Sequence, residues 1–72
     1  MMPWNYRIVR YADGSGFGLH EVHYDCNQKE IRMSAKPAAF VGDTAEEVRG
    51  ALMMARMDAI RRPVFEEPDG WH

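Results

Sequence analysis

The N-terminal part of the chain alternates apolar and polar positions with a period of two. In the stretch WNYRIVR, aromatic or branched side chains occupy every second position from Trp4 to Ile8, and Asn5 and Arg7 stand between them. Side chains of an extended chain point alternately to its two sides, so this pattern indicates a β-strand with two different faces. We predict this strand near residues 4–12.

Two further strands follow, each preceded by residues that favour turns. The glycines of DGSG, residues 13–16, supply the positive φ angles that a tight hairpin requires. We predict the second strand near 17–25 and the third near 30–36, joined by a turn over CNQK. Pro37 ends the third strand because proline cannot donate a hydrogen bond to the ladder.

The apolar period changes from two to 3.6 after the third strand, which indicates a helix. Thr44 is a favourable N-cap, and Glu47 lies three residues beyond it, at the spacing of a capping box. Arg62 precedes Pro63 and is therefore displaced from the α region, so we predict a helix near 45–61. The stripe that we expect to face the sheet consists of Ala45, Val48, Leu52, Ala55 and Ala59.

These elements predict an α+β fold, a three-stranded antiparallel β-meander with one C-terminal helix packed on one face. We predict a single domain over 1–67 and a flexible tail over 68–72. A chain of 72 residues buries only about 60% of the surface that its unfolded form exposes, so its stability margin is small. Cys26 is the only cysteine, which excludes an intrachain disulfide and leaves self-association as the most available support.

Charge and composition limit the classes of function. The net charge is −2, the isoelectric point is about 5.8, and the sequence contains no basic block. A nucleic-acid backbone would therefore find little positive field, and nucleic-acid binding is disfavoured. The sequence contains neither the pattern of a secretory signal nor an apolar run near the roughly 18 residues of a membrane span. We expect a cytoplasmic protein without a membrane segment.

The stretch GLHEVHYDC has the most obvious chemical character of the chain. In a helix, His20 and His23 would share a face and could bind one metal ion, whereas in a strand they point to opposite faces. The stretch lies between two turns and is rich in β-prone residues, so we predict a strand without a metal site. Cys26 has no identifiable orienting group that would make it a nucleophile. We predict no catalytic residue, no cofactor and no enzymatic activity.

A polar cluster on the predicted sheet leaves a second function open. If the first hairpin pairs Ile8 with Leu19, Arg7 lies opposite His20. Such a pair could hold an anionic group of a small ligand or a nucleic acid on the sheet face that the helix leaves open. It could equally be a cross-strand surface pair of little energetic consequence. The residues of this alternative ligand face are Arg7, Arg10, Tyr11 and His20.

Several motifs together resemble a family of small bacterial proteins. The stretches WNYRIVR, HEVHYD, Pro37, VGDTAEEVRGAL and RRPVFEE follow that family's order of W-x-Y-R-V, H-E-V-Y-Y-D, P, G-[DE]-T-x-E-E-L and P-V. The resemblance covers nearly the whole chain and implies no particular activity. The stretch GDTAEEVRGAL is also similar to the last strand and helix of HicB-type antitoxins, whose β-β-β-α-β domain binds a toxin, so toxin binding is what this second resemblance implies.

The predicted helix carries a second apolar stripe on the side away from its sheet-facing stripe. We call it the outer face, and it consists of Gly50, Met53, Met57 and Ile60. Gly50 lets another backbone approach closely, and methionine side chains adapt well to a partner surface. We therefore predict that the outer face binds another protein or a second copy of the chain. The alternative is a tilted helix whose methionines fill gaps in the core.

Overall fold

The computed structural model describes residues 3–71; Met1, Met2 and His72, at the outer ends of the predicted domain and tail, lie outside the described residues. The elements in chain order are β1 (Trp4–Arg10), β2 (Phe17–Tyr24), β3 (Glu30–Met33), α1 (Ala45–Arg61) and β4 (Phe65–Glu66). The α+β class is confirmed, and the helix bounds agree with the prediction. The strands form one sheet in the order β3-β2-β1-β4.

The first hairpin has the register on which the Arg7–His20 hypothesis depends. Ile8 pairs with Leu19 and Arg7 pairs with His20 in the antiparallel β1–β2 ladder. The turn depends on its glycines, because Gly14 and Gly16 have φ angles of 78° and 129°, a region that other residues rarely adopt. The backbone amide of Tyr11 donates to the Gly16 carbonyl oxygen at 2.9 Å and closes the loop.

The sheet contains a fourth strand that the sequence pattern did not predict. Arg62 is extended, and the chain after Pro63 turns back along β1. Phe65 pairs with Val9 in a parallel ladder, and the amide of Glu67 donates to the Arg10 carbonyl oxygen at 3.0 Å. A strand of two residues is too short for a period-two pattern to be visible. The prediction of three antiparallel strands is therefore incomplete, and the sheet is mixed.

The core lies on one side of the sheet. Val9 of β1 and Val22 and Tyr24 of β2 are buried there, and Phe65 of β4 packs against them. The Phe65 ring also contacts the ring of Trp71, with the two centroids 5.5 Å apart. This contact ties residues after Pro68 to the core side of the sheet, while the flexibility of the 68–72 tail stays a prediction.

The helix begins and ends for the predicted reasons. The Thr44 hydroxyl accepts a hydrogen bond from the Glu47 amide at 3.2 Å, as in a capping box. The Glu47 carboxylate accepts from the amide of Asp43, one residue before the N-cap, at 2.9 Å.

Within residues 3–71, no helix is long and apolar enough to cross a membrane.

The sheet-facing stripe of α1 differs in part from the prediction. Ala55 is buried and Val48 and Ala59 are half-buried, as predicted, but Ala45 and Leu52 are exposed. The helix is rotated toward Ala51 and Asp58, which are half-buried in their place. The cause is a polar contact with β1, because the Tyr6 amide donates to the Asp58 carboxylate at 3.2 Å.

Gly18 makes room for a side chain that crosses the hairpin. A Cβ atom at Gly18 would lie 2.0 Å from the Tyr11 hydroxyl oxygen and 2.9 Å from Cζ of the same ring. Such distances do not occur between unbonded atoms, so any larger residue at position 18 would displace Tyr11 from its place over β2.

We expect Gly18→Ala to destabilise the fold by about 1–3 kcal/mol, because the added methyl group forces Tyr11 away. The cost of Gly18→Ala is expected to be smaller in a Tyr11→Phe background, which lacks the nearest atom. Denaturant unfolding of the two single variants and the double variant measures both costs. Equal costs in the two backgrounds would show that the hydroxyl is not the obstacle.

Candidate functional site

The outer face of α1 is accessible to solvent along its length. Met53 and Ile60 are each 66% exposed and Met57 is 42% exposed. A Cβ atom at Gly50 would have no neighbour within 4 Å, so the space beside this glycine is open. At about 100° per residue, the four positions fall within about 80° of one another, opposite the buried Ala55. The methionines of the outer face therefore do not fill the core of a single chain.

The spacing of the outer face matches that of a helix–helix seam. Residues Glu46, Gly50, Met53, Met57 and Ile60 are separated by four, three, four and three positions. This alternation is the heptad pattern by which two helices interlock their side chains. From the N-terminal end of α1, this row consists of a charged residue, then Gly50, which has no side chain, and then three large apolar side chains.

Charged side chains border the outer face on both flanks. Arg49 and Arg56 follow one flank, and Glu47 and Arg61 lie on the other. Arg49 forms an ion pair with Glu46 one turn earlier in the helix. An apolar centre with a charged rim is the usual anatomy of a protein interface.

A groove adjoins the outer face on the side of Met54. It has a volume of about 440 Å³, and its walls come from the C-terminal half of α1 and the start of β1. Asn5 is one of its lining residues. The Asn5 amide oxygen accepts from the Arg62 guanidinium, and its amide nitrogen donates to the Tyr24 hydroxyl at 2.8 Å. The groove extends the accessible apolar surface from Met54 toward the partly exposed ring of Trp4.

The residues of the alternative ligand face do not form one open surface. Arg7 and His20 are on the core side of the sheet, where they are 6% and 1% exposed. Arg10 lies on the opposite side, where its guanidinium covers the ring of Phe17 at 5.2 Å and approaches Glu66. The interpretation of Arg7 and His20 as a surface pair is therefore wrong, because the register that pairs them also turns both into the core.

The buried Arg7 side chain contacts several parts of the fold. Its guanidinium forms an ion pair with Glu30 at 2.8 Å, donates to the Pro63 carbonyl oxygen at 2.9 Å and lies 5.2 Å from the centre of the Phe65 ring. These contacts join β1 to β3, to the segment after α1 and to β4. Local sequence patterns contain no signal for these contacts, because the partners are 23 or more positions away from Arg7.

His20 is fixed by a chain of hydrogen bonds. Its Nδ1 atom lies 2.9 Å from the Ser34 carbonyl oxygen, which can only accept, so Nδ1 carries the proton. Its Nε2 atom lies 2.7 Å from the Tyr11 hydroxyl oxygen, within hydrogen-bond distance. A cavity of about 200 Å³ opens beside this pair and the buried Glu67. This volume is below the range of about 300–1,000 Å³ that is usual for small-molecule sites.

The remaining candidate groups do not converge. His20 and His23 lie on opposite sides of β2, as predicted, and His23 packs beside Trp4. Cys26 is a free, exposed thiol in the second turn. Over the described range 3–71, no three His, Cys, Asp or Glu side chains are placed to hold a metal ion.

The pKa values of Glu30 and Tyr6 are shifted from their ordinary values. The pKa of Glu30 lies below its ordinary value of 4.5, because its carboxylate accepts a hydrogen bond from its own backbone amide and pairs with Arg7. The pKa of Tyr6 is raised by partial burial and by the negative charges of Glu21 and Asp58. Glu30 stabilises the fold in its charged form, and neither shift creates an acid–base pair.

Comparisons of the chain with protein-family models, with curated proteins and with solved structures find no match. The resemblance of the sequence motifs to a small bacterial family and to HicB-type antitoxins therefore stays a prediction.

We expect Arg7→Met to lower the free energy of unfolding by about 2–4 kcal/mol. The substitution removes a buried positive charge and leaves the groups that pair with this charge unpaired. The matched control is Arg10→Met, which removes an exposed arginine from the same strand and is expected to cost about 0–1 kcal/mol. Chemical denaturation measures both. Similar costs for the two variants would contradict the assigned role of Arg7.

The charge of Glu30 makes part of the stability depend on pH. Because its folded pKa is lowered, its contribution is complete above the ordinary value of 4.5 and is lost as the pH falls through the folded pKa. We expect the difference in unfolding free energy between wild type and Glu30→Gln to be largest near neutral pH and to shrink in acid. A difference that is independent of pH would contradict this account.

Proposed function

We propose that this protein is a non-enzymatic interaction module, and that its outer face binds an α-helix of a partner chain. The observation that carries the proposal is the row of exposed apolar side chains at heptad spacing on the side of α1 opposite Ala55. A surface helix of a chain that acts alone normally carries polar residues on that side.

The chemistry of the outer face favours a helical partner. Gly50 provides a gap between two turns, and Met53 and Met57 provide flexible apolar side chains that fit against an irregular neighbour. The backbone groups along α1 already form hydrogen bonds within the helix. A β-strand of a partner would therefore find no row of unpaired backbone groups there. An amphipathic helix needs only an apolar stripe, which the outer face supplies.

The alternative function, in which Arg7, Arg10, Tyr11 and His20 bind a small anionic ligand or a nucleic acid, has less support. Arg7 and His20 are buried and hydrogen-bonded to the protein itself, and Arg10 lies on the other side of the sheet. The net charge of −2 also opposes binding of a phosphate backbone.

Site-specific photo-crosslinking in the natural cell tests the proposal. A benzophenone amino acid is placed at Met53 or Met57, and at Val41 as a control that is 86% exposed but lies outside the outer face. We expect crosslinks from the two outer-face positions that map to a helix of the partner, and none from position 41. Adding Met57→Glu is expected to abolish the crosslink at position 53.

The same experiment has clear contrary outcomes. Equal crosslinking from position 41 and from the outer face would overturn the proposal, as would crosslinks at position 53 that persist in the Met57→Glu background.

A further inference from the structure

We infer that the partner helix is α1 of a second copy of this chain, packed antiparallel with a two-fold axis between Met53 and Met54. This inference rests on the proposed function, because it assigns an occupant to the outer face. Three observations carry it: the area that the chain exposes, the symmetry of the outer face, and the position of its charges.

The chain exposes more surface than a monomer of its size. Its accessible surface is 5419 Å². A monomeric protein of 8.3 kDa is expected to expose about 4,600 Å² on average. The difference is a property of the whole chain, and exposed apolar side chains of α1 contribute to it. The exposed large apolar side chains of α1 are Leu52, Met53, Met54, Met57 and Ile60.

The outer face is complementary to itself in the antiparallel direction. Gly50 and Met57 are equally far from the midpoint between Met53 and Met54, so each Met57 side chain meets the gap at Gly50 of the other copy. Parallel pairing would instead place Gly50 of one copy against Gly50 of the other. The space between the two helices at that position would then stay unfilled. A knob that enters a hole is the contact by which paired helices interlock.

The charges at the ends of the helix have the same symmetry. Glu46 and Arg61 are also equally far from that midpoint, so antiparallel pairing brings opposite charges together at both ends. Parallel pairing would bring Glu46 against Glu46.

Antiparallel pairing has two costs, because Arg49 approaches Arg56 of the second copy and Ile60 lies level with Glu47 of the second copy. The first cost is small, since Arg49 is already paired with Glu46 and both arginines lie on the solvated rim.

The rest of the fold leaves room for this arrangement. The outer face is on the opposite side of α1 from Ala55, which contacts the body of the domain. A second copy therefore approaches from the side on which no other element of residues 3–71 lies. The helix is about 25 Å long, so the seam covers its whole length.

Disulfide mapping tests the inference. All variants carry Cys26→Ser, and new thiols are introduced by Met53→Cys, by Gly50→Cys or by Met57→Cys. In the antiparallel register, two copies of position 50 are about 10 Å apart along the axis, whereas position 50 lies level with position 57. A disulfide requires Cα atoms within about 7 Å. Under mild oxidation we expect a linked dimer from Met53→Cys alone, and from a mixture of Gly50→Cys with Met57→Cys, but not from either of those two alone.

Two other outcomes would overturn the inference. Linked dimers from Gly50→Cys alone and from Met57→Cys alone would show parallel pairing and overturn the inference. No linked dimer from Met53→Cys, together with a mass of 8.3 kDa by light scattering at high concentration, would show that the chain does not pair with itself. In that case photo-crosslinks from the outer face to a different protein would leave the proposed function standing, and their absence would overturn both.

Discussion

A buried guanidinium joins parts of the chain that are far apart in sequence. Arg7 of β1 pairs with Glu30 of β3, donates to the carbonyl of Pro63 after the helix and covers the ring of Phe65 in β4. A buried charge without partners would cost several kcal/mol, so the fold requires these groups to stay in place. The end of α1 is thereby held beside β1, and the helix cannot rotate freely against the sheet.

The orientation of α1 determines which side of it is available. Small side chains and Asp58 occupy the side that faces β1, where Asp58 accepts the Tyr6 amide. The larger apolar side chains are left on the outer face, where no other described element covers them. A small domain with a thin core thus places much of its apolar surface outside, which is why we assign the function to an interface rather than to a cavity.

Local patterns were sufficient to predict most of the secondary structure. The period-two alternation, the glycines of the first turn and the N-cap at Thr44 act over a few residues and are visible in the sequence. The partners of Arg7 are not visible, because Glu30 and Pro63 reach it only through the tertiary fold. Leu52 has the correct spacing for the core stripe and is nevertheless exposed, since a polar contact at Asp58 sets the helix rotation. The outer face follows from sequence spacing, whereas its exposure required the structure.

The central claim, that the outer face is buried against a second copy, is tested most directly by the concentration dependence of thermal unfolding. Association that favours the folded state raises the midpoint as protein concentration increases. The account predicts a midpoint that rises steadily over about three decades of concentration in the wild type and stays constant in Met57→Glu. A wild-type midpoint that is the same at every concentration would contradict it.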